Sequence, residues 1–409
     1  MCPESNQINR IIVRGANWIG DAVMTLPALE RLRSSFPRSH IALLAEPLTR
    51  GLFEAAPFID EVIEYRRKED GPRAFLEAVK MMRARRFDLA ALFQNAFEAA
   101  LLTALGGASI RVGFAAQGRG MLLTHRLHRD PRSGARHQVH DYLDIVAECE
   151  NVAKCEDVAK CEDVAECEDV AKCENVAKCE NVAECENVAE CENVAESERA
   201  SPGANFKSQF SNPESQISNP LPTLIASSSQ RQAAEALLRR FGGISNSRPL
   251  IALNAGATNS RAKRWPEDRF AELADQLTDR IGARIVFIGA ASEREGAERI
   301  IRQMKRREAI NLAGETSLSQ LIGALDVCDL LISNDTGPAH IAAALGRPTL
   351  TIFGPTNEFE TAPIGTRAEL IRAEGVECAR CMLRDCPIDH RCMTRIAPAD
   401  VFERALKLL

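Results

Sequence analysis

A chain of 409 residues, with 45% hydrophobic and 26% charged residues, has the composition of a soluble globular protein and the length of about two domains. Its formal net charge of −6 argues against a general nucleic-acid-binding protein. The first residues lack the basic start and apolar core of a secretory signal, and no uninterrupted apolar run reaches membrane-spanning length. We therefore expect a cytoplasmic protein with reduced thiols.

Strands and helices alternate along the N-terminal part of the sequence. Short apolar runs predict strands at residues 11–14, 41–45, 61–65 and 87–93. Apolar residues at helical spacing predict helices at residues 22–36, 74–86 and 96–105. Because parallel strands need long crossover connections, this alternation predicts a parallel sheet with right-handed crossovers.

Asp21 ends the loop that follows the first predicted strand. It opens the next helix at the carboxyl end of a strand, where open α/β sheets bind ligands. An aspartate is also a common N-cap there, so a purely structural role stays open. The glycines of the loop do not match Gly-x-Gly-x-x-Gly, and no phosphate loop ending in Gly-Lys-Ser/Thr is present. We therefore disfavour a nicotinamide or nucleoside triphosphate enzyme.

The stretch 333–340, Ser-Asn-Asp-Thr-Gly-Pro-Ala-His, joins a predicted strand to a predicted helix. It brings Asp335, Thr336 and Gly337 to the first turn of that helix. Free N–H groups and the positive end of the helix dipole suit an anion such as a pyrophosphate there. His340 follows on the same face of the turn as Gly337. An ordinary capped helix with a solvated histidine would have the same sequence.

A second candidate phosphate site is the loop 255–266, between a strand predicted at 250–254 and a helix predicted at 268–277. The loop contains glycine, is basic and is anchored by Trp265 and the proline after it. It can therefore bring Lys263 to a phosphate, although a basic loop is more often exposed to solvent.

Glu293 opens the helix after the strand predicted at 284–289. Its carboxylate can interact with the helix dipole or accept hydrogen bonds from a ribose. The same α/β alternation continues with strands predicted at 311–314 and 348–355 and helices predicted at 231–241, 318–325 and 399–409.

Basic residues cluster after the fourth strand, in a region that we predict as loop from residue 111 onward. Among them Arg119 and Arg136 could meet an anionic substrate, although scattered surface arginines are the usual case. A helix over residues 142–146 then leads out of the first domain.

From residue 147 to about 196 the chain repeats Val-Ala-(Lys/Glu)-Cys-Glu-(Asp/Asn) every six residues. Each position rotates by about 240° per repeat around a helix, so no apolar stripe forms and a coiled coil is disfavoured. A β-solenoid would need a more consistently apolar residue at its inward-facing position than alternating Val and Glu provide. A metal-binding array would need paired cysteines. We expect a fraying helix or disorder, then a Ser/Asn/Pro-rich linker at 197–222, with function surviving removal of both.

Four cysteines lie within fifteen residues near the C-terminus, with His390 alongside: Cys378, Cys381, Cys386 and Cys392. In a reducing compartment this spacing indicates either a structural zinc or iron knuckle or free cysteines. A metal there would brace a neighbouring loop and would not perform chemistry.

Three motifs in this order resemble those of the ADP-heptose:lipopolysaccharide heptosyltransferases, glycosyltransferase family 9. They are Gly-Ala-Asn-Trp-Ile-Gly-Asp at 15–21, Ala-Lys-Arg-Trp-Pro at 262–266 and Asn-Asp-Thr-Gly-Pro-Ala-His at 334–340. The Trp-Ile-Gly-Asp form is most similar to the members that add the second inner-core heptose. The resemblance covers nearly everything except about residues 147–220. Glu98 departs from it, because relatives often carry a basic residue there.

The resemblance implies a GT-B fold, in which two Rossmann-like α/β domains face a cleft. The acceptor, a heptose-bearing lipid A core, would lie on the N-terminal side and the donor ADP-heptose on the C-terminal side. The transfer would invert the anomeric centre without a catalytic metal or other cofactor, with at most peripheral contact with the inner membrane. Asp21 would be the general base that takes the acceptor hydroxyl proton. The implied donor contacts are Lys263, Glu293, Asp335, Thr336, Gly337 and His340, and the acceptor contacts are Asn17, Trp18, Arg119 and Arg136.

We accordingly expect an acceptor-side domain at 1–146, an insertion at 147–222, a donor-binding domain at 223–397 and a helix at 398–409 that packs back across the domain boundary. Two other functions stay open. One is a related enzyme of this fold that uses another sugar or acceptor. The other is a non-catalytic nucleotide-sugar-binding protein, in which Asp21 would be unnecessary.

Overall fold

The computed structural model describes residues 8–129, 136–158, 220–242 and 248–409, with the backbone alone at 154–158. Repeats beyond residue 158 and nearly all of the predicted linker lie outside the described residues. Both β-sheets belong to one compact unit, residues 1–154 and 219–409, and every contact described below lies within it. In the part of the chain that the structure describes, no helix combines the length and apolar character needed to cross a bilayer.

The first sheet has six strands, each parallel to its neighbours. Helices cover both of its faces, so the interior of a central strand such as β1 is apolar: Ile11 and Val13 enter one hydrophobic core, and Ile12 enters another. The strand order is β3-β2-β1-β4-β5-β6. The strands are β1 (Arg10–Arg14), β2 (His40–Ala45), β3 (Glu61–Glu64), β4 (Leu89–Leu92), β5 (Ile110–Phe114) and β6 (His125–Leu127).

One predicted helix of this N-terminal half differs from the structure. The helix predicted at 22–36 is two helices that break at Thr25, because Pro27 has no N–H to continue the hydrogen-bond ladder of the first. The helices are α1 (Ile19–Met24), α2 (Leu26–Ser35), α3 (Pro47–Arg50), α4 (Arg67–Arg85), α5 (Phe97–Leu105) and α6 (Val139–Val158).

The second sheet repeats this arrangement with six parallel strands in the order β12-β11-β10-β7-β8-β9. Its strands are β7 (Leu250–Asn254), β8 (Arg284–Phe287), β9 (Ile310–Asn311), β10 (Leu330–Asn334), β11 (Thr349–Phe353) and β12 (Ala368–Arg372). The helices of this C-terminal half are α7 (Ser228–Arg240), α8 (Glu267–Ile281), α9 (Arg294–Gln303), α10 (Leu318–Val327), α11 (Gly337–Ala344), α12 (Glu358–Thr361), α13 (Arg391–Thr394) and α14 (Pro398–Leu408).

Both sheets have the doubly wound order of a Rossmann-like domain, which confirms the predicted fold class. The strand order reverses between β1 and β4 in the first sheet and between β7 and β10 in the second. Ligands of such sheets bind beyond the carboxyl ends of the strands at these reversals. Asp21 comes after β1 and the stretch 333–340 continues from β10, and these two strands each flank one of the reversals.

Two strands lie where we predicted loop, and a third strand was not predicted. Residues 110–114 and 125–127 form β5 and β6, although we expected loop from residue 111, and β12 was not expected at all. All three contain charged residues, and β6 and β12 are edge strands with mixed exposure. Because edge strands bury little surface, their apolar pattern is weak.

The start of the hexapeptide repeat is part of the folded core. It continues α6, in which Cys149 is fully buried and Val152 is nearly so. Arg31 and Ser35 of α2 donate hydrogen bonds to Glu150 at 2.6–2.8 Å. These contacts fix the first repeat against α2.

The C-terminal helix α14, predicted to pack back across the domain boundary, contributes Val401 and Phe402 to the hydrophobic core of the second sheet. It packs there against α8.

Candidate functional site

The first turns of α1 and α11 interlock where the two halves meet. A Cβ atom on Gly20 would lie 3.0 Å from His340 Cδ2 and 3.1 Å from its Nε2. On the other side of the contact, a Cβ on Gly337 would lie 2.8 Å from the Cβ and Cγ2 of Ile19. Two glycines thus allow the helix starts to approach closely, and Ile19 packs against Gly337.

Asp21, in the first turn of α1, is half-buried at this meeting point. Burial raises the pKa of its carboxyl to about 6; the positive charge of Lys263 opposes this rise and the negative charge of Asp335 adds to it. The two charges that act on Asp21 therefore both come from the predicted donor side. At neutral pH the carboxylate is mostly ionised and is a stronger base than an ordinary aspartate.

One carboxylate oxygen of the buried Asp335 accepts hydrogen bonds from two side chains. Lys263 Nζ lies 2.8 Å from Asp335 Oδ2 and 3.3 Å from the backbone oxygen of Asp335. Thr356 Oγ1 donates to the same Oδ2 at 2.7 Å. An ammonium has three N–H donors, so one donor of the partly exposed Lys263 is left for a ligand.

Two asparagines at the strand reversal of the second sheet hold the surrounding loops. Asn334 accepts the Trp265 N–H at 3.1 Å and donates to the Ala255 oxygen at 2.8 Å. Asn254 Nδ2 donates to Thr336 Oγ1 at 2.7 Å. The Thr336 hydroxyl, a predicted donor contact, is thus already bonded to the end of β7.

Glu293 lies beside the loop after β7 with both carboxylate oxygens bonded. They accept hydrogen bonds from Thr258 Oγ1 at 3.1 Å and from the Ala290 N–H at 2.9 Å. The carboxylate fills the space next to Gly256 and Gly289, where side chains would collide with it. Glu293 also lines a cavity of about 130 Å³ whose other walls include Trp265, Phe287, Ile288 and Gly296. A larger cavity of about 490 Å³ along α8 shares no lining residue with this one.

The predicted acceptor side offers an aromatic and a polar side chain. Trp18, the residue before α1, is 51% exposed, and Lys68 Nζ lies 5.5 Å from its ring centroid. Asn17 Oδ1 accepts a hydrogen bond from Arg14 Nη2 at 3.0 Å, which orients the amide. Both residues directly precede α1 and Asp21.

The two arginines predicted to contact the acceptor have internal partners. Arg119 is fully buried, and its guanidinium donates to the Phe114 oxygen at 2.8 Å, to Asn95 Oδ1 at 2.9 Å and to the Gln94 oxygen. Burial lowers its pKa to about 10. Arg119 therefore holds the turn after β5 in place and does not present its charge to a ligand, which corrects our expectation.

Arg136 forms a bidentate pair with Asp144 of α6 at 2.5 and 2.9 Å. The pair is at the surface, and the Asp144 carboxylate raises the pKa of Arg136.

Two buried histidines lie at the junction. Burial lowers the pKa of His340 to about 4, so its ring is neutral at neutral pH. Burial also lowers the pKa of His137, whose Nδ1 accepts the Val139 N–H while Nε2 lies 2.9 Å from the Ala362 oxygen. Since that carbonyl can only accept, the Nε2 of His137 carries the proton. The segment before α6 is thereby bonded to the C-terminal half.

Cys378, Cys381, Cys386 and Cys392 are free thiols. Within the described ranges of the chain, no three or more His, Cys, Asp or Glu side chains are arranged to hold a metal ion. The predicted structural zinc or iron is therefore not confirmed. Burial and the three neighbouring thiols raise the pKa of Cys392 to about 11, so the four cysteines do lie in one another's vicinity.

We did not predict from the sequence the contacts that Gly20, Asn254, Thr356 and His137 make in this site. Each acts through a partner at least 21 residues away in the chain. The only usable signal was position: Asn254 ends the strand next to β10, and Thr356 follows the glycine-proline exit of β11.

Comparisons with known proteins agree with this fold. The model of glycosyltransferase family 9 (heptosyltransferase) matches residues 75–180 and 210–391. Lipopolysaccharide heptosyltransferase 2 of Escherichia coli K12 is 26% identical over 372 residues, 89% of this chain and 88% of the relative. The solved structure of E. coli ADP-heptose lps heptosyltransferase II matches with a TM-score of 0.70 and 24% identity over 98% of both chains. That of E. coli heptosyltransferase WaaC with ADP-2-deoxy-2-fluoro heptose matches with a TM-score of 0.59 and 18% identity over 98% of this chain and 100% of the other. The chain belongs to glycosyltransferase family 9, the heptosyltransferase family.

Proposed function

We propose that the protein is an inverting heptosyltransferase that moves heptose from ADP-L-glycero-D-manno-heptose to the inner-core heptose of lipopolysaccharide, the reaction of a heptosyltransferase II. Membership of the family and the names of the relatives support the substrate class. The observation that carries the proposal is the position of Asp21, half-buried opposite the Lys263–Asp335 ion pair.

Asp21 is the general base of the proposed reaction. Its carboxylate takes the proton of the acceptor hydroxyl while that oxygen attacks the anomeric carbon from the face opposite the diphosphate. The bond between the anomeric carbon and the diphosphate oxygen breaks, and its electron pair leaves with ADP. A base whose pKa is near 6 is ionised at neutral pH and still accepts a proton readily.

Groups of the protein itself stabilise the negative charge that develops on the departing ADP. Lys263 has one N–H donor left after binding Asp335, and the start of α11 presents the positive end of its helix dipole. These groups replace a divalent ion, so we propose that catalysis is metal-independent. The cavity beside Glu293 takes the nucleoside part of the donor.

The acceptor approaches Asp21 from the side of Asn17 and Trp18. An exposed tryptophan ring with a lysine over it offers stacking to a sugar face. Because the lipid part of the acceptor lies in a bilayer, we place the enzyme in the cytoplasm with peripheral contact with the inner membrane.

The structural zinc or iron at the four C-terminal cysteines stays a prediction. Metal analysis of the purified full-length protein tests it. About one zinc or iron per chain, lost when Cys378 and Cys381 are replaced by serine, would support the site, whereas metal-free protein of full stability would exclude it.

The experiment that tests the function is incubation with ADP-heptose and a heptose-primed lipid A core, with ADP release and product mass as readouts. We expect release in wild type and a loss of about 10²–10⁴-fold in Asp21→Asn. Release that Asp21→Asn leaves unchanged would reject the proposed base. Donor binding without any turnover would favour a non-catalytic nucleotide-sugar-binding protein, and turnover with another sugar or acceptor would favour a related enzyme of this fold.

A further inference from the structure

The segment between β12 and α13, residues 373–390, is termed the cysteine loop. It packs on the short 3₁₀ turn Arg261–Lys263 through both backbone polar groups of Ala262. The Ala262 N–H donates to the Arg384 oxygen at 2.9 Å, and His390 Nε2 lies 2.6 Å from the Ala262 oxygen. Since a carbonyl can only accept, the His390 ring donates this hydrogen bond. Ala262 is buried, so these bonds are shielded from water.

The cysteine loop also holds the segment that follows β11. The Met382 N–H donates to the Pro355 oxygen at 2.9 Å. Arg380 donates to both carboxylate oxygens of Glu358, at 2.6 and 3.2 Å. Thr356 lies between these two anchor points in the sequence.

Lys263 and Thr356 both donate hydrogen bonds to Asp335 Oδ2, at 2.8 and 2.7 Å. Each follows directly on a residue whose backbone is bonded to the cysteine loop. Since Lys263 and Asp335 both influence the pKa of Asp21, the loop supports the electrostatics of the whole site.

His390 is held in an uncommon conformation for this contact. Its φ of 57° lies in the left-handed region, which is unfavourable for a non-glycine residue. Its N–H points to Cys386 Sγ at 3.3 Å, and the ring reaches Ala262 from there. A cysteine of the loop thus fixes the backbone from which the imidazole reaches the residue before Lys263.

We propose that His390 is a positioning residue for Lys263: by holding Ala262, it fixes the point from which the lysine reaches Asp335 and the diphosphate. The assignment rests on the proposed role of Lys263 in donor binding. It predicts that loss of the His390 hydrogen bond weakens binding of the nucleotide and leaves the acceptor side unaffected.

The test compares His390→Phe, which keeps a ring and loses the donor, with His390→Gln, whose amide nitrogen can take the place of Nε2. The control is Arg261→Ala in the same turn, which breaks only the exposed pair of Arg261 with Asp385. ADP affinity is measured by calorimetry on the full chain, and amide hydrogen exchange is measured over residues 260–264.

We expect His390→Phe to weaken ADP binding about 5- to 10-fold and to speed exchange of the Ala262 amide. His390→Gln should stay within about twofold of wild type, and Arg261→Ala should match wild type. Unchanged ADP binding and exchange in His390→Phe would overturn the assignment, as would an equal loss in His390→Gln. If the variants follow the expected order while the wild type transfers no heptose, the positioning role stands and the proposed function fails.

Discussion

The His340 ring lies against Gly20, with its Cδ2 3.0 Å from where a Cβ on that glycine would be. The two residues stand 320 positions apart, in the first turn of α1 and in α11. Asp21 is the next residue after Gly20. The packing of one neutral imidazole on one glycine therefore decides how closely the proposed base approaches the donor side.

Gly20→Ala should push α1 away from α11, because the added methyl group meets the His340 ring at less than normal contact distance. Overpacking of this kind typically costs about 1–3 kcal/mol in unfolding free energy, and we expect transfer activity to fall with it. The measurements are chemical denaturation and initial rates. Adding His340→Ala creates room for the methyl group, so the two changes together should cost less than the sum of each alone. Strict additivity would mean that the contact does not constrain the site.

The acid limb of kcat/KM should lie near pH 6, since burial raises the pKa of Asp21 to about 6 and the protonated carboxyl cannot accept a proton. Lys263→Met removes the positive charge that lowers this pKa, so the limb should move to higher pH. A full pH–rate profile of both proteins measures the shift. Arg261→Ala, a change of an exposed cation two residues earlier, should leave the limb in place. A limb that moves to lower pH in Lys263→Met would contradict the assignment of Asp21.

His340 should make the protein less stable in acid. Its folded pKa of about 4 lies below the 6.5 of an unfolded histidine, so the unfolded chain binds more protons between these values. The contribution is complete above pH 6.5 and falls by roughly 2–3 kcal/mol as pH drops to about 4. Asp21 has the opposite sign, because its raised pKa favours the folded state in acid between about pH 3.8 and 6.

The contribution of His340 to stability is therefore measured as the difference in unfolding free energy between wild type and His340→Gln at each pH. The charged or titratable groups that act on His340 are Asp335, His137 and Lys263, and all remain in the variant. We expect the unfolding free energy of His340→Gln, measured in urea, to decline less than that of wild type from pH 7 to 4.5. Parallel curves would show that His340 does not titrate in this range.

Replacing residues 159–218 by a flexible Gly/Ser linker should preserve stability and activity, as we expected for the repeat and linker as a whole. A replacement that starts at residue 147 should not, because it removes Cys149 and Val152 from the hydrophobic core and Glu150 from its bonds to Arg31. Loss of two buried side chains costs roughly 2–5 kcal/mol. Thermal melting and ADP release compare the two deletions. Equal behaviour of both would show that the first repeat is dispensable.

The local sequence pattern was sufficient to predict most of the architecture. Apolar runs followed by helical spacing predicted the parallel sheets, and the turn residues at 15–21 and 333–340 predicted where each half would present polar groups. Edge strands such as β12 escaped prediction because they bury too little surface to carry a clear apolar pattern.

The sequence by itself determined which segments become strands and helices and that Asp21 and Asp335 end up at strand-to-helix turns, because those features depend on neighbours within one turn or one strand. Only the tertiary structure decided that the charge of Lys263 acts on Asp21, that the Arg119 guanidinium is hydrogen-bonded inside the protein, and that His390 donates a hydrogen bond to Ala262. These outcomes depend on desolvation and on contacts between residues that chain folding brings together from distant positions, and no local pattern encodes them.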